Sequence, residues 1–191
     1  MTENGSDTPV PGCRTGDEPL HADGAPLPYR LHGFWQWAFS DLLAEYLVAC
    51  DLGLAHSVRQ EWDAVDLRTP DGVKVEVKSA AYVQSWQQAR PSAISFDIRP
   101  TLGWEAATNT YGTLLQRQAD VHVFALFSHR DRRTADPLNV AQWEFCVLPA
   151  AELNARMPHQ KRLSFSTLLK LQPKQVRFGE IRAAIAAVLT G

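Results

Sequence analysis

The segment that decides the fold of this 191-residue chain is residues 61–79, which read EWDAVDLRTPDGVKVEVKS. Its second half alternates strictly, with valines at 73, 75 and 77 and charged residues at 74, 76 and 78. A period of two is typical of a strand with one buried face. Residues 69–72 carry Pro and Gly where β-turns favour them. We therefore predict a β-hairpin, with one strand over 57–67 and the other over 73–78.

A helix is predicted upstream of the hairpin. Residues 31–50 place apolar side chains three and four positions apart, which gives one broad apolar face, and Gly53 follows as a stop signal. Glu45 lies beside that face. Asp41, Glu45 and Asp51 interrupt the apolar stretch, so we interpret it as a buried helix and not a membrane span.

The rest of the chain alternates between strand and helix patterns. Strands are predicted at residues 94–98, 119–127 and 143–148, and helices from 149, over 164–171 and over 178–189. This order predicts an α/β or α+β domain in which helices flank a central mixed sheet. Residues 1–28 are rich in Pro, Gly, Asp and Thr without an apolar period, so we expect a disordered tail before a single domain over 29–191.

Composition excludes several classes of protein. The hydrophobic share of 45% and the charged share of 21% are those of a soluble globular protein. Three cysteines without a Cys-x-x-Cys spacing argue against a disulfide framework or a cysteine zinc site, and favour the cytoplasm. The sequence contains no His-Glu-x-x-His, phosphate-loop or Gly-x-Ser-x-Gly motif, which argues against the corresponding protease, ATPase and hydrolase chemistries.

Charge is spread unevenly along a chain that holds 19 basic and 21 acidic residues. Residues 1–28 have five acids and one base, residues 29–111 ten acids and seven bases, and residues 112–191 six acids and eleven bases. Near-neutrality is unusual for a nucleic-acid binder, but acids are what a divalent-cation site requires. We therefore expect weak non-specific DNA binding that depends on metal and salt.

The predicted hairpin carries a set of groups suited to phosphodiester hydrolysis. Glu76 and Lys78 alternate onto one face, about 7 Å apart, and acids occur on the neighbouring strand. Mg²⁺ prefers oxygen ligands and lowers the pKa of a bound water. A lysine can orient or deprotonate that water, or stabilise the developing charge.

Residues 33–127 resemble the core of the PD-(D/E)XK, or restriction-endonuclease-like, nuclease superfamily. The resemblance is carried by Glu45 on the helix, Asp63 on the first strand and the Glu76-Val77-Lys78 triplet on the second, although Trp62 replaces the Pro of the motif. It implies catalytic roles for Glu45, Asp63, Glu76 and Lys78. It also implies that Asp63, Glu76 and the backbone carbonyl of Val77 hold Mg²⁺ or Mn²⁺.

Depending on the register of the hairpin, Asp66 is an alternative to Asp63 as the metal-binding aspartate. A two-residue Pro70-Asp71 turn makes Asp63 face Lys78, diagonal to Glu76. A three-residue loop ending in a glycine bulge places Asp66 opposite Glu76 instead, and local turn chemistry favours it. The spacing typical of the superfamily favours Asp63, which we take as the metal-binding residue.

The sequence thus predicts a Mg²⁺-dependent endonuclease acting on DNA, in defence or repair. Gln84 is predicted to contact nucleic acid, since amides bind phosphates and bases and some relatives carry a Gln at this point. A homodimer or a partner protein is expected to supply specificity. The alternative is a non-catalytic nucleic-acid-binding module of the same fold in a larger assembly.

Overall fold

The computed structural model describes residues 41–54, 65–84, 86–105 and 110–190. The helices are α1 (Asp41–Asp51), α2 (Ala150–Arg156), α3 (Phe165–Lys170) and α4 (Ile181–Thr190). The strands are β1 (Leu67–Arg68), β2 (Lys74–Ala81), β3 (Ser95–Asp97), β4 (Thr101–Glu105), β5 (Thr110–Gln116), β6 (Val121–Phe127), β7 (Trp143–Pro149), β8 (Arg162–Ser164) and β9 (Lys174–Val176).

A five-stranded mixed sheet with the order β1-β2-β6-β7-β9 forms the centre of the domain. Strands β2 and β6 run parallel, and the other neighbours in this sheet run antiparallel. Two small antiparallel sheets, β3-β8 and β4-β5, complete the described strands. The predicted α+β class with a central mixed sheet and flanking helices is confirmed.

One face of the central sheet is covered by α1 and α4. Val75 and Val77 of β2 are fully buried in one apolar cluster with residues of both helices, for which the members on α1 and α4 are Ala44, Leu47, Val48, Ile181, Ala184 and Ile185. Asp51 joins the two helices, because its carboxylate accepts hydrogen bonds from the backbone N–H groups of Gly179 at 2.5 Å and Arg182 at 3.2 Å. A carboxylate at a helix N-terminus satisfies donors that the helix itself leaves unpaired.

The opposite face of the sheet packs against β3, β8, α2 and α3. Its cluster contains Phe124 of β6 and Phe96 of β3, whose rings meet edge to face at 5.0 Å, together with apolar residues of the three other elements. Ala80 and Tyr82 pack against this second cluster, whereas Ala81 and Val83 belong to the first. The alternation that the sequence predicts for β2 therefore continues past its end.

The hairpin turn has a three-residue loop. The Thr69 N–H donates to the Val73 carbonyl at 3.0 Å, and the Gly72 N–H donates to the Thr69 carbonyl at 2.9 Å. Gly72 has φ +90°, a conformation that favours glycine. Leu67 consequently pairs with Val75, and one further step of the same register places Asp66 opposite Glu76. This is the register that turn chemistry favoured.

Most elements lie close to where the sequence predicted them. The described part of the first helix ends at Asp51, and Gly53 follows it with φ +70°. The strand at 94–98 is present but pairs with β8 outside the central sheet. The β4-β5 hairpin, β8 and β9 were not predicted. The tail over 1–28, the domain start at 29 and residues 57–64 lie outside the described residues.

Within the described ranges, none of the helices has both the length and the apolar character needed to cross a bilayer.

Candidate active site

Glu76 and Lys78 line a cavity of about 320 Å³, which lies on the face of the sheet that bears the second apolar cluster. The other walls of the cavity come from the end of β3, the segment after it and the segment that precedes β6. Their lining residues are Asp97, Ile98, Arg99, Thr101, Arg117, Gln118, Ala119 and His122. Two charged residues of the β2 alternation, Glu76 and Lys78, therefore face this cavity, while the valines face the core.

Glu76 and Lys78 form an ion pair in which the Lys78 Nζ atom lies 2.7 Å from Glu76 Oε1. Both side chains keep only about a quarter of their surface exposed, at 24% for Glu76 and 23% for Lys78. Asp97 carries a second negative charge on the cavity wall. Its hydrogen bond with Arg99 lowers the pKa of the Asp97 carboxyl, and the charge of Lys78 adds to that effect. The cavity thus holds fixed charges of both signs.

Asp66, which directly precedes β1, contacts β2 beside the Glu76–Lys78 pair. Its Oδ2 atom accepts a 2.7 Å hydrogen bond from the backbone N–H of Val77, the residue between Glu76 and Lys78. The N–H and C=O groups of one strand residue point to the same side. The carbonyl of Val77 therefore points toward the sheet edge where Asp66 lies, away from β6.

The oxygen donors at this edge match the preference of Mg²⁺. Glu76 and Asp66 supply two carboxylates and Val77 a backbone carbonyl, and a Mg²⁺ site commonly has one or two carboxylates with water completing the shell. No group of three or more acidic, imidazole or thiol side chains able to hold a metal occurs among the residues that are described. Asp63, the predicted ligand, lies outside those residues.

Glu45 is buried, with 7% of its surface exposed, on α1. Its neighbours Ala44 and Val48 pack into the cluster that contains Val77. Helix α1 therefore covers the valine face of β2, whereas Glu76 and Lys78 point into the cavity on the other face. The catalytic role of Glu45 stays a prediction.

His122 forms the floor of the cavity directly beside Glu76, its register partner across the parallel strands. The ring is 3% exposed, and its Nδ1 atom is buried without a hydrogen-bond partner among the described residues. Burial, with the nearby charges of Arg117 and Lys78, lowers the pKa of His122 to about 3. The imidazole is therefore neutral at physiological pH.

Arg117 anchors the far wall of the cavity. Its guanidinium donates to the carbonyls of Ile98 at 2.8 Å, Met157 at 2.8 Å and Gln160 at 3.2 Å, and to the Asn154 side chain at 2.8 Å. Arg117 is buried, with 8% of its surface exposed. Burial lowers the pKa of Arg117.

Sequence reasoning did not identify Asp97, Arg99, Arg117 or His122 as site residues. The pattern of residues 119–127 predicts a buried strand, but the pairing of His122 with Glu76 depends on a register between distant segments. No local motif marks that register.

Gln84 lies in the loop after β2, and its amide groups hold that loop. Its Nε2 donates to the Ala81 carbonyl at 3.1 Å and to Ser92 Oγ at 3.4 Å, and its backbone N–H donates to Gln88 Oε1 at 2.7 Å. The contact of Gln84 with nucleic acid stays a prediction.

Comparison with known proteins gives one family. Residues 36–160 match the family model described as bacteriophage T4 endonuclease IV. A search of curated proteins and a search of solved structures gave no match.

Proposed function

Because the chain belongs to the bacteriophage T4 endonuclease IV family, we propose that it is a Mg²⁺-dependent endonuclease that hydrolyses phosphodiester bonds in DNA. The observation that carries this proposal is the Glu76–Lys78 pair, with 2.7 Å between Lys78 Nζ and Glu76 Oε1, at the wall of a cavity. Asp66 lies opposite Glu76 in the register of the hairpin. These are the groups that phosphodiester hydrolysis by metal-activated water requires.

Glu76, Asp66 and the carbonyl of Val77 are the residues proposed to hold the metal, with Glu45 and Asp63 as further candidates. Mn²⁺ would bind the same oxygen donors. When bound, the cation lowers the pKa of its water and offsets the charge of the phosphate. The hydrogen bond from Val77 to Asp66 holds one carboxylate in place before any ligand arrives, which reduces the ordering needed on binding.

Lys78 is proposed to act on the attacking water. In hydrolysis the water oxygen bonds to phosphorus and the bond from phosphorus to one bridging oxygen breaks. The water releases a proton to solvent, and the departing oxygen takes one up from solvent to become a hydroxyl. An ammonium beside Glu76 can orient that water and stabilise the negative charge that develops on the phosphate. The partly buried position strengthens these interactions relative to bulk water.

The resemblance to the PD-(D/E)XK superfamily is part of this proposal. It is supported by the helix, the hairpin and the Glu-x-Lys triplet in the predicted order, and by the parallel pairing of β2 with β6. A role in defence or repair, and a homodimer or partner protein that supplies specificity, follow as proposals from the same resemblance.

Cleavage assays on single-stranded and duplex DNA with Mg²⁺ or Mn²⁺ test the function. Lys78→Met and Glu76→Gln should lower the single-turnover rate by roughly 10²- to 10⁴-fold, the usual contribution of a proton-transfer or charge-stabilising group. Lys74→Met is the matched control, since Lys74 is a cation of the same strand outside the cavity lining, and its rate should equal that of the wild type.

Metal binding gives a readout that does not depend on turnover. Titration calorimetry with Mn²⁺ should show weaker binding by Glu76→Gln and retained binding by Lys78→Met. Unchanged cleavage by both variants would refute the assignment. Tight DNA binding by a wild-type protein that never cleaves would favour the non-catalytic binding module instead.

A further inference from the structure

A group of arginine and aromatic side chains, separate from the active-site cavity, lies beyond the carboxyl ends of β2 and β6. It consists of Tyr82, Trp86, Arg90, Arg130 and Arg132, which we call the arginine–aromatic patch. Its three arginines are exposed, and Trp86 keeps 62% of its surface exposed. Exposed aromatic rings among arginines are the usual composition of a surface that binds nucleic-acid strands.

Contacts between its members make the patch one connected surface. The guanidinium carbon of Arg130 lies 3.9 Å above the centre of the Tyr82 ring. Arg132 donates from Nη1 to the Trp86 carbonyl at 2.6 Å, which ties the loop after β6 to the loop after β2. Tyr82, Arg90 and Arg130 also line a depression of about 670 Å³.

The loop that carries Trp86 is held by side-chain amides. Gln88 Nε2 donates to Ser92 Oγ at 2.9 Å and to the Tyr82 carbonyl at 3.4 Å, and its Oε1 accepts from the backbone of Gln84 at 2.7 Å. The Ser92 N–H donates to the Tyr82 carbonyl at 2.8 Å. A preorganised loop loses less conformational entropy when it binds a ligand.

The patch and the active-site cavity lie at two ends of one face. Lys78, Ala80 and Tyr82 alternate onto the same side of β2, so the backbone distance from Lys78 to Tyr82 is about 13 Å. Residues 92–93 line the depression at the patch, and β3 then leads to Asp97–Arg99, which line the cavity. One strand segment thus connects the two sites.

We propose that the arginine–aromatic patch is a second nucleic-acid contact, which holds the flank of the substrate strand at a distance from the bond that is cut. Arg90, Arg130 and Arg132 bind phosphates, and an unpaired base stacks on Trp86. This inference rests on the proposed nuclease function. It assigns binding to residues separate from Glu76 and Lys78.

The charges around the patch favour a polyanion. Asp131, the acid between Arg130 and Arg132 in sequence, is engaged by Arg133, with 3.2 Å between Arg133 Nη2 and Asp131 Oδ2. Its negative charge is therefore offset by a fourth arginine, and the surface keeps a positive excess. The exposed ring of Trp86 adds a face on which a base can stack.

Fluorescence anisotropy in EDTA, where no metal is present, tests the patch separately from catalysis. The probes are a fluorescein-labelled single strand, a duplex with an unpaired flank and a continuous duplex. Trp86→Ala should weaken binding of the first two by roughly 5- to 150-fold and leave the third unchanged. Arg130→Ala combined with Arg132→Ala should weaken binding of all three probes and lower the salt slope by about 1.8 on the continuous duplex and by about 1.4 on the single strand.

Lys174→Ala serves as the matched control, because Lys174 is an exposed cation on β9 at the far edge of the sheet. It should bind all three probes as the wild type does. Cleavage under Mg²⁺ should show a raised KM and a retained single-turnover rate at saturating DNA for the patch variants. Lys78→Met should show the reverse, with binding kept and cleavage lost.

The two ideas fail in different ways. If the wild type cleaves DNA and the patch variants bind every probe as the wild type does, the patch proposal is overturned and the nuclease function stands. If the wild type never cleaves DNA and the patch variants nevertheless bind the probes more weakly than the wild type, the nuclease function is refuted and the patch proposal stands. If Lys174→Ala weakens probe binding as much as the arginine substitutions do, the effect is general charge attraction and the patch proposal is overturned.

Discussion

The carboxylate of Asp66 accepts a 2.7 Å hydrogen bond from the backbone N–H of Val77, the central residue of the Glu-x-Lys triplet. This bond fixes Asp66 beside β2 at the sheet edge toward which the Val77 carbonyl points. Two oxygen donors that suit Mg²⁺ thus share one edge, and one further step of the hairpin register beyond Leu67–Val75 places Glu76 opposite Asp66. The relationship makes Asp66 the stronger candidate for the second carboxylate ligand.

Substitution of each aspartate separates the two candidates. Asp66→Asn keeps an oxygen that can accept from Val77 but removes the charge, so the hairpin should fold while the single-turnover rate falls by about 100-fold or more. Asp63→Asn should change the rate by less than this. Circular dichroism checks folding in both variants. A reversed order of effects would return the metal site to Asp63.

Gly72 in the hairpin turn and Gly112 in β5 should differ in how well they tolerate an added side chain. Gly72 has φ +90° with open space where a Cβ would stand, so Gly72→Ala carries only backbone strain and should destabilise the protein by about 1–3 kcal/mol. Gly112 lies in β5 without a positive φ, and an added Cβ would make an ordinary contact at 3.4 Å with the Gly103 carbonyl. Gly112→Ala should therefore be neutral within about 0.5 kcal/mol.

Urea denaturation measures both free energies of unfolding. Gly72→Asn provides a further control, because Asn adopts positive φ more readily than Ala and should recover part of the loss. Equal stability of Gly72→Ala and the wild type would mean that the turn relaxes to another form, and the register that brings Asp66 to Glu76 would then be in question.

Local chemistry was sufficient to predict the hairpin but left two turns open. The alternation of valines at 73, 75 and 77 predicts a strand with one buried face, whereas Pro70 and Gly72 are compatible with a two-residue turn as well as with the three-residue loop that they favour. Sequence features disagree on the aspartate, because the spacing typical of the superfamily favours Asp63 whereas the turn chemistry favours Asp66. The observed loop follows the turn chemistry.

The far wall of the cavity could not be predicted in the same way. Asp97 and Arg117 reach the site because β3 pairs with β8 and because Arg117 donates to carbonyls of two segments, one after β3 and one between α2 and β8. Such contacts are fixed by long-range packing and leave no short motif. Exposed Arg and Asp residues in loops have the same local appearance whether they line a cavity or face solvent.

The Arg117 network should be a main stabilising element of that wall. Arg117→Met would leave the carbonyls of Ile98, Met157 and Gln160 without this donor, so we expect a loss of about 2–5 kcal/mol in unfolding free energy. Asn154→Ala removes only one of the four bonds and should lose about 1 kcal/mol. Chemical denaturation of the two variants gives the comparison. Similar small losses in both would show that water replaces the guanidinium.

His122 should make the stability of the metal-free protein depend on pH. Its pKa is about 3 in the folded protein against 6.5 in an exposed histidine, so the folded state resists protonation and the unfolded state does not. Above pH 6.5 both states are neutral, and the full contribution of the neutral ring to stability is present. As the pH falls from 6.5 toward 3, the unfolded state gains a proton and stability falls by up to about 1.4 kcal/mol per pH unit.

Replacement of His122 by Phe isolates that contribution. The substitution removes the buried Nδ1 that has no partner among the described residues and keeps a ring that can stack on Phe124, 6.0 Å away between centroids. His122→Phe should therefore equal or exceed the wild type in stability at pH 7, and its advantage should widen as the pH drops to 4. Denaturation in EDTA at both pH values measures the difference, with His129→Phe as a control at a histidine that is only half-buried. If the gap between His122→Phe and the wild type stays constant with pH, the ring of His122 takes up a proton in the folded state, and the cavity floor is more polar than its burial implies.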